Sequence, residues 1–126
     1  MHLRSMATLA VLLLGGSIAA HSAQQDTIFF KHACQSAVRI SDGKKVSSAE
    51  TMGALFCSAY VSGFLDSMSV AADLLNAKQP ACLPPKGISS DQAVRIFAKH
   101  LEESTDVLGQ TPRMALLVAL RNAFPC

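Results

Sequence analysis

Four cysteines, two histidines and two aspartates are the side chains here whose chemistry most needs an account. Cys34, Cys57, Cys82 and Cys126 form an even set with no C-x-x-C spacing. Beyond the first 23 residues only His32 and His100 remain as imidazoles, too few at the wrong spacing for a tetrahedral zinc site. No metal and no cofactor is expected. His32 is two residues from Cys34, and those positions do not share a helical face; His100, between Lys99 and Leu101, reads as a surface or core-edge histidine. Asp66 and Asp73 fall on one polar helical stripe, where carboxylates are ordinarily just solvated. Catalysis needs a nucleophile or an acid–base pair held in a pocket. None is assembled, so an enzyme is not expected; a small enzyme using His100 with Asp66 is the weakest alternative.

The compartment decides what the cysteines do. Arg4 supplies a positive n-region, residues 6–14 an apolar h-region, and residues 15–23 a small-residue segment suited to cleavage. The apolar run is short and glycine-broken for a membrane span. Residues 1–23 therefore read as a signal peptide cut between Ala20 and Ala23, with an uncleaved anchor as the alternative. No cysteine follows the h-region directly, which argues against a lipoprotein. The mature chain, residues 24–126, is one domain. The whole sequence holds 11 basic and 9 acidic residues. Losing Arg4 leaves the mature part nearly neutral, without the basic footprint that nucleic acid or an anionic membrane surface would call for. Four cysteines in an exported chain of this size imply two disulfides and a periplasmic or similarly oxidising location.

Helical period organises the elements that hold these cysteines. The long stretch of residues 47–77 carries Cys57, Tyr60, Val61, Phe64, Met68, Ala71 and Leu75 on one arc at 100° per residue, with Ser58, Ser62, Asp66, Ser69, Asp73 and Asn76 opposite. Ser47 and Glu50 make a capping box at its start, and Pro80 bars it from continuing. Before it, Asp26 or Thr27 caps a first helix to about Val38 that carries Phe30, Ala33, Cys34 and Ala37 on one side. The tetrad Ser41-Asp42-Gly43-Lys44 is a turn, with room for a tiny hairpin of Arg39-Ile40 against Lys45-Val46. Residues 80–87, with three prolines, cross without helix. Ser89 with Gln92 opens a third helix that turns Val94, Phe97, Ala98 and Leu101 inward. Residues 102–110 are a polar connection containing Gly109. Thr111-Pro112 opens a fourth helix, whose residues 114–120 are apolar enough for burial. The fold class is all-α: a small four-helix domain with two disulfides.

Reach constrains the pairing. From Cys57 to the end of its helix is about 30 Å, and the five residues on to Cys82 recover at most about 17 Å. Cys57–Cys82 would therefore need a broken helix. With antiparallel neighbours, Cys34 and Cys57 face each other, and Cys82 and Cys126 share one end. This favours Cys34–Cys57 with Cys82–Cys126, leaving Cys34–Cys82 with Cys57–Cys126 as the alternative. Each bridge would stabilise by ~2–4 kcal/mol. Gly63 sits inside the long helix, where glycine costs about 1 kcal/mol against alanine. It implies close approach, by a helix of the same chain or by a second subunit or partner.

Cys57-x-x-Tyr60-x-x-Gly63-x-x-Asp66, then Cys82-Leu83-Pro84, Ala119-Leu120 and the terminal Phe124-Pro125-Cys126 together resemble the Rap/Tai immunity protein family, over about residues 27–126. The resemblance implies a small, exported, helical, disulfide-bonded protein. Such a protein would bind and occlude a peptidoglycan amidase effector delivered by a type VI secretion system, acting as a dimer with a loop in the amidase cleft. One departure stands out. Where the family often has a His-Pro-Glu-like segment after its third helix, this chain has Ser104-Thr105-Asp106. Connecting loops tend to carry recognition, so Ser104, Thr105, Asp106, Val107, Leu108, Gly109 and Gln110 are the candidate partner-binding residues. The alternative is a periplasmic stress or chaperone-like helical protein, which would use a broad apolar surface instead of one loop.

Overall fold

Ser47 starts the longest helix as its sequence requires. Its Oγ accepts from the Glu50 amide at 3.1 Å, and the Glu50 carboxylate accepts from the Ser47 amide at 2.8 Å, so both arms of the capping box form. The structure, a computed structural model, describes residues 15–76 and 78–126, with side chains from residue 26 onward. Of the expected signal peptide, residues 1–14 lie outside the described residues. The chain order is α1 (Gly15–Ser41), α2 (Ser48–Leu75), α3 (Ser90–Glu103), a 3-10 helix (Thr105–Gly109) and α4 (Pro112–Ala123). No strand occurs among the described residues, and the fold is all-α.

Helix α1 is longer than the capping residues suggested. It runs through Asp26 and Thr27 without a break, because residues 17–40 contain neither proline nor glycine and include strong helix formers such as Ala19, Ala20 and Ala23. Thr27 is buried instead of capping, and its hydroxyl donates to the Gln110 carbonyl at 2.5 Å. At the other end the expected turn forms. Gly43 takes φ +75°, and the amides of Asp42, Gly43 and Lys44 return to carbonyls of the last helical turn. Arg39 and Ile40 are still helical there, so the tiny hairpin is absent. Asn76, at φ 47°, closes α2 in the left-handed conformation that asparagine tolerates.

Helices α1 and α2 pack antiparallel, and α3 lies across both with α4 behind it. The core gathers Cys34 and Ala37 from α1, and Ala54, Cys57, Val61 and Met68 from α2. Ala93, Val94, Phe97 and Leu101 come from α3, and Leu116 and Leu120 from α4. All four residues expected to point inward from α3 do so. On α2 the arc holds at Cys57, Val61 and Met68, while Leu75 is 74% exposed, since helix ends beyond the reach of α3 have little to pack against. Gly53 makes the close approach expected of a helical glycine: a Cβ there would lie 3.5 Å from the Ala33 Cα. Gly63 does not, for a Cβ there would meet nothing within 4 Å.

The crossing of residues 80–87 is ordered by its contacts. Ala81 is fully buried, the Cys82 amide donates to the Phe124 carbonyl at 3.2 Å, and the Gly87 amide closes a turn onto Pro84 at 2.7 Å. The disulfides are Cys34–Cys57 and Cys82–Cys126, with Cα–Cα separations of 5.2 and 5.1 Å. Helix α4 is less evenly buried than its composition implied. Ala115, Leu116, Ala119 and Leu120 face the core, Met114 is exposed, and Leu117 is intermediate. Leu116→Ala is therefore expected to cost ~2–5 kcal/mol. Leu117→Ala, at a half-covered site, should cost clearly less. Denaturant midpoints of the two variants check this, and equal losses would contradict the packing.

Candidate functional site

The segment of residues 104–110 is a folded edge, not an open polar connection. Ser104 ends α3, with its amide donating to the His100 carbonyl at 3.2 Å. Five residues then wind into the 3-10 helix Thr105–Gly109, closed by the Gln110 amide on the Val107 carbonyl at 2.9 Å. Val107 is only 3% exposed and belongs to the core, so of the seven candidates it is an anchor rather than a contact. Leu108 is half-buried, and Thr105, Asp106 and Gly109 face solvent. The Thr27 hydroxyl holds the Gln110 carbonyl from α1. The sequence signal for this is the Val107-Leu108 pair, an apolar step inside a polar run. Replacing residues 105–108 wholesale would therefore unseat Val107, contrary to the small stability effect expected of a mere connection.

Thr111 has the extended backbone of an N-cap with Pro112 behind it, but its hydroxyl makes no capping bond. Its Oγ1, Gln110 Oε1 and His100 Nε2 are buried without a hydrogen-bond partner in the protein. All three flank the 3-10 helix in sequence. Ser89 likewise supplies one arm of its expected box, accepting from the Gln92 amide at 3.1 Å.

Tyr60, Gly63 and Asp66, the motif residues of α2, lie apart from that edge in role. The Tyr60 ring packs on Phe30 with centroids 4.5 Å apart, and Phe30 in turn reaches Phe97 at 6.4 Å. Burial pushes the Tyr60 phenol above its ordinary pKa, offset in part by the Arg113 charge. Asp66 is exposed and enters no ion pair among the described residues. No hydrogen bond or ion pair joins His100 to Asp66, so the alternative pair for acid–base chemistry is not brought together. No cluster of three or more metal-ligating side chains exists among the described residues.

A second surface was not foreseen. A groove of about 630 Å³ runs between α1 and α3 from His32 and Gln35 to Lys44, with Lys99 and Glu102 on its other wall. Its far end is locked by charges. Arg95 bonds Asp42 at 2.8 Å and Asp91 at 2.9 Å, Ser41 donates to Asp91 at 2.6 Å, and Arg39 meets Glu50 at 2.7 Å. The Ser41 hydroxyl first, and then Arg95, holds Asp91 below its ordinary pKa. The Ser47 backbone and hydroxyl bonds, ahead of the Arg39 charge, do the same to Glu50. These groups are solvent-exposed, so screening by water leaves the pairs little weight in overall stability. Their main effect is to fix the end of α1 against α2 and α3.

Geometry of this kind is that of a small disulfide-stapled helical domain with a short anchored edge between α3 and α4. The chain belongs to the family of Rap1a immunity proteins, whose pattern it matches over residues 26–126. Membership makes it an immunity protein, an inhibitor and not an enzyme. No curated protein and no solved structure matches it. The staples themselves differ in access. Cys34 and Cys57 are fully buried, while Cys82 and Cys126 are exposed. Thiol attack requires access, so mild reductant on the native protein is expected to free Cys82 and Cys126 for alkylation first. Peptide mapping showing Cys34 or Cys57 labelled first would contradict this.

Proposed function

We propose that this protein resides in the periplasm and neutralises a type VI secretion peptidoglycan amidase by binding over its catalytic cleft. The family match across residues 26–126 carries the reading, since it makes the chain an effector inhibitor. The amidase as target, the edge of residues 104–110 as the contact, and a second copy of the chain as a further partner are the finer parts of the proposal. Thr105, Asp106 and Gly109 supply the exposed side of that edge, and buried Val107 keeps it in one conformation. A contact that is already ordered loses little entropy on docking. Protection then follows from stoichiometric complex formation, with no turnover.

Residues 1–23 are read as the export signal, leaving residues 24–126 as the immunity domain. Protein recovered from the periplasm should begin near residues 21–24 and contain no free thiol; intact mass with and without reduction checks both. A product retaining Met1 overturns the export reading.

The contact is tested by Thr105→Arg with Asp106→Arg, which leaves Val107 in place. Thermal stability is expected to hold. Binding to the purified amidase encoded beside this gene, and rescue of cells making that amidase in the periplasm, should fall at least tenfold, or ~1.4 kcal/mol. Unchanged binding removes this edge from the mechanism, and a neighbouring gene that encodes no amidase removes the target. The chaperone-like alternative draws on one observation, the exposed apolar side of α2. It requires suppression of aggregation of unrelated unfolded proteins, which an immunity protein does not show.

A further inference from the structure

Each disulfide closes a ring within its own half of the chain. Cys34–Cys57 encloses residues 34–57, and with them the exposed turn between α1 and α2. Cys82–Cys126 encloses residues 82–126, and with them the crossing to α3 and the 3-10 edge. Among the described residues beyond Cys57, only Asn76 and Lys78 to Ala81 lie outside both rings and outside a helix. A backbone break in any connection inside a ring leaves the chain covalently whole. A break here divides it into an α1–α2 hairpin and an α3–α4 hairpin, each with its own staple.

This link is also accessible. Lys78 and Pro80 are exposed and non-helical, while Ala81 beyond them is fully buried. On the other side α2 ends without cover, its Leu74 and Leu75 being 78% and 74% exposed. A helix end with few buried contacts opens locally at little cost, and exposed non-helical segments are where endopeptidases cut. Lys78 is the only basic residue between Cys57 and Cys82. Its bond to Gln79 is an ordinary secondary amide, because proline follows only at Pro80.

Contacts that cross between the halves decide what a cut would release. Helix α3 buries Phe97 and Leu101 where it packs on α1 and α2, and the Thr27 hydroxyl holds the Gln110 carbonyl. The other crossing bonds lie at the surface: Ser41 to Asp91 at 2.6 Å, Arg95 to Asp42 at 2.8 Å and Ser62 with Ser90 at 2.8 Å. While linked, the halves meet at an effective concentration on the order of millimolar. Once cut, they meet at their concentration in solution, about a thousandfold lower for protein at ~1 µM.

We propose that the Lys78–Gln79 bond is the site at which a single cut takes this protein apart, hydrolysed by an endopeptidase that selects lysine. Water adds across the amide, leaving a carboxylate on Lys78 and an amine on Gln79. The edge of residues 104–110 then departs with α3 and α4, away from the Thr27 that anchors it. Cuts after Lys44, Lys45 or Lys86 fall inside a ring, and both pieces stay attached. The proposal rests on the preceding reading only in this, that losing the edge ends inhibition.

The test is limited digestion of the native mature protein with trypsin, followed by intact mass and denaturing electrophoresis without reductant. A fragment ending at Lys78 and one beginning at Gln79 should separate with no reductant present. Pieces from cuts after Lys44, Lys45 or Lys86 should part only on reduction. Lys78→Gln, at an exposed site, should keep the native melting temperature and slow that separation at least tenfold. On gel filtration at ~1 µM the cut protein should elute as two hairpins, and its binding to the amidase should fall at least tenfold. The proposal is overturned by digestion that releases no fragment at Lys78 without reductant, or by Lys78→Gln separating as fast as the native chain. It is overturned equally by a cut protein that still elutes as one particle at that dilution. Uncut protein that fails to bind the amidase overturns the preceding reading instead, and leaves the cleavage site to be judged by the gels and the elution.

Discussion

Everything in this domain is measured from the Cys34–Cys57 bridge. It is fully buried and joins the last third of α1 to the first half of α2 at a Cα separation of 5.2 Å, which fixes how two helices of 27 and 28 residues lie side by side. A pair of antiparallel helices can slide by a turn at modest cost when their contacts are mostly alanine. Here Ala33 meets Gly53, and Ala37 and Ala54 lie beside them. The covalent link removes that freedom and lets small residues serve as the contact. Close approach of α1 and α2 then forms the floor on which Phe97 and Leu101 of α3 are buried. A domain of this size buries too small a fraction of its surface to be stable with much margin. The link therefore contributes both register and a substantial share of stability.

The second bridge acts on a different problem. Cys82 and Cys126 lie outside the helices, where a proline-rich crossing and the chain terminus would otherwise fray. Together with the Cys82 amide bond to Phe124, it ties the start of the crossing to the end of α4. The α1–α2 pair is thus held by a core staple, and the crossing and the chain terminus by a surface staple. What remains free to differ is the edge between α3 and α4.

Much of this was legible in the residues. Capping chemistry placed the start of α2, α3 and α4, because Ser47, Ser89 and Thr111 precede helical periods that neither turn nor strand can use. Reach and antiparallel packing favoured the observed disulfides. The errors share one physical origin: local signals lose to tertiary context. Asp26 and Thr27 are good caps, but a helix that meets no breaker continues through them, and Thr27 was needed at the Gln110 carbonyl. Residues 102–110 look polar, but one valine in the right phase is enough to draw the segment onto the core. In α2 the wheel found the buried arc and treated the rest as solvated. It passed over Met52, Phe56, Val70 and Leu74, because serines and aspartates lie among them. A helix with apolar residues on two sides shows little net amphipathicity, so periodicity cannot say which side the chain itself covers. Gly63 and Gly53 make the same point. Either could mark the internal close contact, and only the fold shows that it is Gly53.

That division of α2 bears on how an inhibitor of this size can work. A nearly neutral chain draws little on long-range steering, so selective binding must come from shape and from contacts already in place. Anchoring Val107 in the core and the Gln110 backbone on Thr27 places Thr105 and Asp106 on a support whose conformation is settled before any partner arrives. Both side chains are short, which keeps the rotamer entropy lost on contact small. The exposed apolar side of α2 has the opposite character, with Phe56, Val70 and Leu74 large and uncovered. Thr105, Asp106 and Gly109 are exposed, so substitutions there leave the staples and the small-residue floor in place, whereas changes at Ala33, Ala37, Gly53 or Ala54 would have to respect both.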